Sequence, residues 1–222
     1  SQEHEASGHA VYRSWCVHCV AAKGQTTPHH HREGEQSEVP EIGFDYGFLG
    51  RRFIEGTMPI ICMKDQKTNS HGTTAVPNTG RCDYATSYLH AFIGGLGYKK
   101  VVLISDNERS LLALLEAVSA SLPEVEVIPK TSPEGDHQAN GLADSIVREI
   151  KGQCRVLLSQ VETRYKRPLD KTEPLHAWVP RHASNSINRH RVGNDGRTPE
   201  QRRCGRKWRR PALEFGEQAT FR

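Results

Sequence analysis

Apolar positions in this chain come in short runs broken by polar turns, and the spacing inside each run assigns its conformation. Residues 42–49, Ile-Gly-Phe-Asp-Tyr-Gly-Phe-Leu, and residues 58–63 are compact enough for strands, and 71–76 offers a third, shorter one. Residues 82–96 follow a helical period closed by Gly94, Gly95 and Gly97. The run 99–105, Lys-Lys-Val-Val-Leu-Ile-Ser, has the continuous apolar character of a strand covered on both faces. Residues 108–121 predict a helix with Leu111, Leu112, Leu115 and Val118 as its inner face; Pro123 ends it, and 125–128 supplies another strand. A loop containing Gly and Pro over 133–141 then feeds a long amphipathic helix. At about 100° per residue, Leu142, Ile146, Ile150 and Leu157 gather on one side of it, and Asp144, Arg148, Lys151 and Arg155 on the other. The stretch 161–168 marks its end, and 175–187 carries a further helix in which His176, Trp178 and His182 read as core or surface residues. Three strands able to pair antiparallel, then helix, strand, helix, strand and helix, predict an α/β layer domain with a mixed five-stranded sheet flanked by helices.

Composition divides the chain further. Residues 1–28 hold a Cys/His segment, 29–40 read as a polar linker, 41–168 as the α/β core and 169–222 as a helical and basic tail. The net charge of +4 is unevenly spread: residues 181–222 carry 11 Lys/Arg against 4 Asp/Glu, a net of +7, so the rest has a net of −3. A neutral-to-acidic body with a basic tail suits a protein that meets nucleic acid, and a solubilising tail is the plainer alternative. No run of 18 apolar residues exists to span a membrane, and no signal peptide opens the chain. Starting at Ser1 and stopping mid-pattern at Phe221-Arg222, the sequence reads as a piece of something longer. Six scattered cysteines fit a reducing, intracellular setting better than a disulfide framework; Cys62, Cys82, Cys154 and Cys204 read as small buried hydrophobes.

Two sets of residues carry candidate chemistry. His4-x4-His9-x6-Cys16-x2-Cys19 contains a zinc-knuckle Cys spacing, and the two upstream histidines can complete a tetrahedral Zn²⁺ site. The gap between His9 and Cys16 is short for a finger that wraps a helix, His18 and His29 to His31 are alternative ligands, and free thiols remain the other reading. The second set is acidic. Asp45 sits mid-strand among apolar neighbours, where an acid is costly unless paired or bound to metal. Asp106 ends a buried strand, where open α/β sheets place their ligands. Asp144 begins a helix, where the dipole favours a carboxylate. Three such carboxylates can converge on one or two Mg²⁺ or Mn²⁺ ions, against the plainer reading of ordinary surface acids.

Phe44-Asp45-Tyr46, Ser105-Asp106-Asn107 and Gln138-x-Asn140-Gly141-x-x-Asp144, in that order, resemble the catalytic core of retrotransposon and retroviral integrases. His4, His9, Cys16 and Cys19 resemble, in shortened form, the zinc-binding segment that precedes that core. The stretches 195–200 and 213–217 look like the segment that follows it. The resemblance implies a ribonuclease-H-like fold and a two-ion Mg²⁺ or Mn²⁺ site on Asp45, Asp106 and Asp144. It also implies contacts to the element's DNA ends from Gln138, Asn140, Arg148 and Lys151. The third acid is the departure: the family has glutamate where this chain has Asp144, one methylene or about 1.5 Å shorter. A misplacement of about 1 Å can cost about 10²-fold in rate. Glu149 does not substitute, because five residues turn it about 140° around the helix from Asp144. Glu108, next after Asp106-Asn107, reads as a first-turn helix acid.

These readings predict a retroelement integrase fragment, a nuclease-like transferase that trims DNA 3′ ends and joins them to target DNA. The tail residues Arg202, Arg203, Arg206, Lys207, Arg209 and Arg210, with Trp208 among them, would neutralise phosphates. The family works as multimers on paired DNA ends, so a homo-oligomer is implied, acting in the nucleus when the target is chromosomal. Two alternatives stand beside it: a catalytically inactive DNA-binding remnant or domesticated copy, and a ribonuclease-H-like nuclease that cuts without joining.

Overall fold

The computed structural model describes residues 2–23, 38–50, 57–131 and 141–218; Gln138, Asn140 and His29 to His31 lie outside them. Five strands form one sheet: β1 (Glu41–Leu49), β2 (Met58–Asp65), β3 (His71–Ala75), β4 (Lys100–Ser105) and β5 (Glu126–Thr131), ordered β3-β2-β1-β4-β5. The first three pair antiparallel, as short turns permit. β4 and β5 join in parallel, each reached by a helical crossover: α3 (Asp83–Gly94) and α4 (Arg109–Ser121). The sheet is mixed, five-stranded and flanked by helices, as the pattern predicts.

Alternation along the strands sorts side chains onto two faces. Ile42, Phe44, Tyr46, Ile61, Met63, Val101 and Leu103 build one core with α3 and α4. The inner face of α4 is Leu111, Leu114, Leu115 and Val118; Leu114 takes the buried place assigned to Leu112, which is half-buried. Leu49, Ile60 and Cys62 face the other way and meet α5 (Gly141–Tyr165) and α6 (Pro174–His190). On α5, Ile146, Ile150, Cys154, Leu157 and Val161 recur every three or four residues and are all buried. Leu142's side chain lies outside the described set.

α5 comes unusually close to β1. A Cβ on Gly47 would sit 3.0 Å from Val147 and 3.2 Å from Ile60, tight enough that these side chains would have to give way. The rotation of α5 is fixed by Glu149. Its carboxylate pairs with Lys64 of β2 (3.3 Å), His71 of β3 (2.9 Å) and Arg191 after α6. α6 covers the β3 edge through Asn188, whose amide accepts from His71 N at 2.8 Å and donates to His71 O at 2.7 Å.

The N-terminal segment docks on the far side of α5 as two short helices, α1 (Gln2–Ala6) and α2 (Val17–Lys23). Gln153 of α5 donates to Gly8 O and accepts from Lys23, and His18 Nδ1 lies 2.8 Å from Ser159 Oγ. After α6 comes α7 (Pro199–Cys204), opened by a capping box between Thr198 and Gln201. All six cysteines are free. Cys62 and Cys154 are buried as expected, but Cys82 is half-exposed where it caps α3, and Cys204 is exposed at the end of α7.

Candidate metal centres and basic surfaces

The acidic set is assembled by strand register. Gly43 of β1 pairs with Ile104 of β4. The ladder ends at that pair; Asp45 lies two residues further along β1, and Asp106 is the first residue past β4, near enough to raise the Asp45 pKa. Alternation puts both on the face that carries Gly47 and Leu49, the face covered by α5. Asp144 lies in the first turn of that helix and is exposed. All three aspartates therefore border one region, beside the middle of β1 and the end of β4.

Their charges feel one another. Burial pushes the Asp45 pKa up to about 7; the Tyr46 amide, donating to Asp45 Oδ1 at 2.6 Å, opposes it, and Asp106, Glu108 and Asp144 push it further up. Asp106 is raised as well, by burial first, then by Asp144 and Glu108. Its Oδ1 is buried without a hydrogen-bond partner. An orphaned carboxylate oxygen among like charges fits a cation, and the all-oxygen donor set fits a hard one such as Mg²⁺ or Mn²⁺. The gap is wide: among the described residues, only the Cys/His set brings three or more such ligand atoms within 4.8 Å of one another. Glu108 adds an acid that sequence reasoning treated only as part of a helix. Lying two residues past Asp106, at the end of a strand where ligands gather, it carried a positional signal for this role.

His4, His9, Cys16 and Cys19 do close together. His4 Nε2 lies 3.0 Å from His9 Nδ1, Cys16 Sγ 3.3 Å from His9 Nδ1, and Cys19 Sγ 3.4 Å from His4 Nε2 and 3.9 Å from His9 Nδ1. A tetrahedron with Zn–N of about 2.05 Å and Zn–S of about 2.3 Å has N–N edges near 3.3 Å and N–S edges near 3.5 Å. These four edges fit within about 0.4 Å, and all the ligand atoms lie within 4.8 Å of one another. His4 sits on α1 and Cys19 on α2, with His9 and Cys16 just outside, so the short gap is a turn rather than a wrapped helix. His9 takes a left-handed backbone (φ 56°) beside Gly8 (φ 65°), where a Cβ would strike Ser186 Oγ. Burial, then His4 and His18, lower the His9 pKa to about 4, keeping it neutral as a ligand must be. Its Nε2 and Gln160 Oε1 are both buried without a hydrogen bond of ordinary geometry, yet the Gln160 side chain is near enough to raise the His9 pKa. An outer partner of this kind orients a ligating histidine. His18, held by Ser159, is not among the four.

Of the basic residues, Arg148 and Arg155 are exposed and Lys151 is half-buried, all on the side of α5 that carries Asp144. In the tail Arg206, Lys207, Arg209 and Arg210 are exposed. Arg202 and Arg203 are not free cations as expected: Arg202 pairs with Asp195 (2.5 Å) and Arg203 with Glu200 (2.9 Å). Trp208 is half-buried, with Arg189 stacked 3.9 Å from its ring centre. It packs against Arg189.

No protein-family model matches the chain, and no curated protein matches it in sequence. Among solved structures it is similar to a chain of the simian T-cell lymphotropic virus intasome in complex with PP2A regulatory subunit B56 gamma. That match has TM-score 0.51 and 15% identity, covering 84% of this chain and 64% of that one. The present chain thus spans under two thirds of that relative's length. The BIV integrase catalytic core domain (TM-score 0.47, 15% identity, 74% of this chain and 93% of that) is less alike. So is the HTLV-2 integrase catalytic core domain in complex with magnesium (0.48, 16%, 75% and 97%). The likeness to the intasome chain concerns the fold alone, an α/β core with a mixed five-stranded sheet.

The Asp45 pKa carries a stability prediction. Its folded value of about 7 lies above the ordinary 3.8, so without metal this group's contribution falls as pH rises from about 4 to about 7 and stays low above that. Asp45→Asn keeps the acceptor for Tyr46 N and removes the charge. The variant is expected to be more stable than the parent at about pH 8 by about 1–2 kcal/mol after solvent screening, with no gain below about pH 4. Urea unfolding across pH in Mg²⁺-free buffer checks this; a difference that does not change with pH would refute the buried charge.

Proposed function

We propose that this chain is a retroelement-type integrase fragment, a polynucleotidyl transferase that trims DNA 3′ ends and joins them to target DNA. The observation that supports the reading is the electrostatic influence of Asp106 and Asp144 on Asp45, in an integrase-like fold. Asp45 and Asp106 would hold one wall of a two-ion site and Asp144 the facing wall. Two Mg²⁺ or Mn²⁺ ions held there would activate a water or 3′ hydroxyl and stabilise the leaving oxygen. Arg148 and Lys151, one and two turns beyond Asp144 on the same side of α5, would bring the DNA backbone against that opening. Gln138 and Asn140 precede the helix in sequence and are assigned to the element's end on the motif alone. Arg206 and Lys207 would contact DNA backbone without reading its sequence, so their contribution should fall as salt rises. The partners are DNA and further copies of this chain, and the place of action is the nucleus when the target is chromosomal. No described helix is long and apolar enough to cross a membrane.

One observation favours a second reading, an inactive DNA-binding copy. Asp144 is exposed and one methylene shorter than the glutamate of integrases, so its carboxylate stands back from the other two. The discriminating assay is Mn²⁺-dependent 3′ processing and strand transfer on short duplexes. The parent should be active, Asp106→Asn silent, and Asp144→Glu faster by roughly 10- to 10²-fold as the third carboxylate moves forward. Silence in all three with DNA binding intact would leave only the binding copy, and cleavage without joining would leave the nuclease.

The same reading assigns one Zn²⁺ to His4, His9, Cys16 and Cys19. A thiol-blocking reagent should release about one Zn²⁺ per chain, and Cys19→Ser should lose it. Metal removal should loosen α1 and α2 from α5 while leaving the sheet folded, as read by amide exchange. A chain purified from zinc-containing medium without zinc would overturn the assignment.

A further inference from the structure

A cavity of about 510 Å³ lies between α6 and the segment that follows α7; Ala6 of α1, two residues from His4, and Ser186, which abuts Gly8, also line it. Its polar wall holds Arg189, His190 and Asn185 from α6 and Arg210 from the tail; Ala212 and Leu213 are part of its apolar side. Trp208 organises the wall. The Arg189 guanidinium stacks 3.9 Å from the indole centre, and Arg210's lies 5.7 Å from the same centre. Cation–π contact of this kind fixes the guanidinium planes and leaves their N–H edges to bind.

These two arginines differ from their neighbours. Arg202 and Arg203 are held by Asp195 and Glu200, whereas among the described residues neither Arg189 nor Arg210 is ion-paired with a carboxylate. Burial lowers the Arg189 pKa; Arg203 and Arg210 lower it too, with Glu200 opposing them. Like charges are therefore gathered around a partly desolvated space, an arrangement that an anion relieves. His190, on the wall, and His182, which also lines the cavity, are lowered by burial first and then by Arg189, His182 to about 4. At neutral pH they add hydrogen-bonding groups without charge. A planar guanidinium fork matches the oxygens of a phosphate, and the volume leaves room for more than the phosphate alone.

We propose that this cavity binds a phosphate-bearing ligand up to the size of a nucleotide, held by Arg189 and Arg210 without a metal. The inference stands on the cavity alone and survives if the integrase reading fails. Because Arg189 covers the indole, recognition rests on the phosphate rather than on a base. The phosphate has two sources, a nucleic-acid strand or a free phosphorylated small molecule.

The test uses the full chain in phosphate-free, low-salt buffer without Mg²⁺ or Mn²⁺. The Trp208 indole N–H signal is followed on titration with deoxyadenosine monophosphate, inorganic phosphate and deoxyadenosine. The monophosphate should bind saturably below about 10 mM, an affinity modest enough for one phosphate, and deoxyadenosine should not bind. Arg210→Gln, at an exposed position, should weaken binding by at least about tenfold while leaving the unfolding transition in place. Arg189→Lys keeps the charge, loses the fork, and should also weaken it. If a short single-stranded oligonucleotide displaces the monophosphate, the source is a strand; if it does not, the source is a free small molecule. Equal binding of the nucleoside, no saturable binding of either phosphate, or unchanged affinity in both variants overturns the proposal.

Discussion

Like charge gathered on one face of the sheet is the constraint on which the rest of this structure turns. Asp45 lies on β1 and Asp106 just past the end of its neighbour β4, and both are pushed toward the protonated form by burial and by the acids around them. A fold does not hold such a pair at neutral pH without cost. The backbone amide of Tyr46 offsets part of it for Asp45, and one oxygen of Asp106 has no hydrogen-bond partner among the described residues. The remainder is what a divalent cation would supply. The acids are unfavourable for stability alone and favourable for holding metal.

Position follows from helix α5. On one side Gly47 lets it lie close against β1; on the other it carries the Cys/His module through Gln153 and Ser159. Glu149 sets its rotation by gathering Lys64, His71 and Arg191 from three different parts of the chain. Removing one partner from such a cluster would leave charge poorly paired, the most expensive way to break an ion pair. With Glu149 turned toward β2 and β3, Asp144 and Arg148 are left on the exposed side. The acid that cannot replace Asp144 is thus part of what orients it.

Much of this was legible in the sequence, and the misses have physical causes. The strands announced themselves as short apolar runs and the core helices through period 3.6. Leu112 and Leu114 were exchanged because the run Leu-Leu-Ala-Leu-Leu offers two overlapping helical faces, and only the packing partner chooses between them. Alternation puts Asp45 and Asp106 on known faces of their strands, but their adjacency depends on β4 lying beside β1, a non-local choice. The Cys/His spacing named four ligands, while the setting aside of His18 needed Ser159, which is 141 residues away. In the tail, composition alone suggested free cations; the short spacings from Asp195 to Arg202 and from Glu200 to Arg203 already hinted that two were spoken for. Cys204 was assigned to a core because cysteines usually are buried, yet a short terminal helix has no second layer to cover it.

The central claim is that Asp45 and Asp106 form a cation site, and the most direct measurement is a titration of their side-chain carboxyl ¹³C shifts with and without Mg²⁺. The account predicts that metal-free Asp45 titrates near about 7 and that saturating Mg²⁺ brings both carboxyls down below the usual carboxylate value of about 3.9. Asp45 titrating at its ordinary value, unmoved by Mg²⁺, would contradict it.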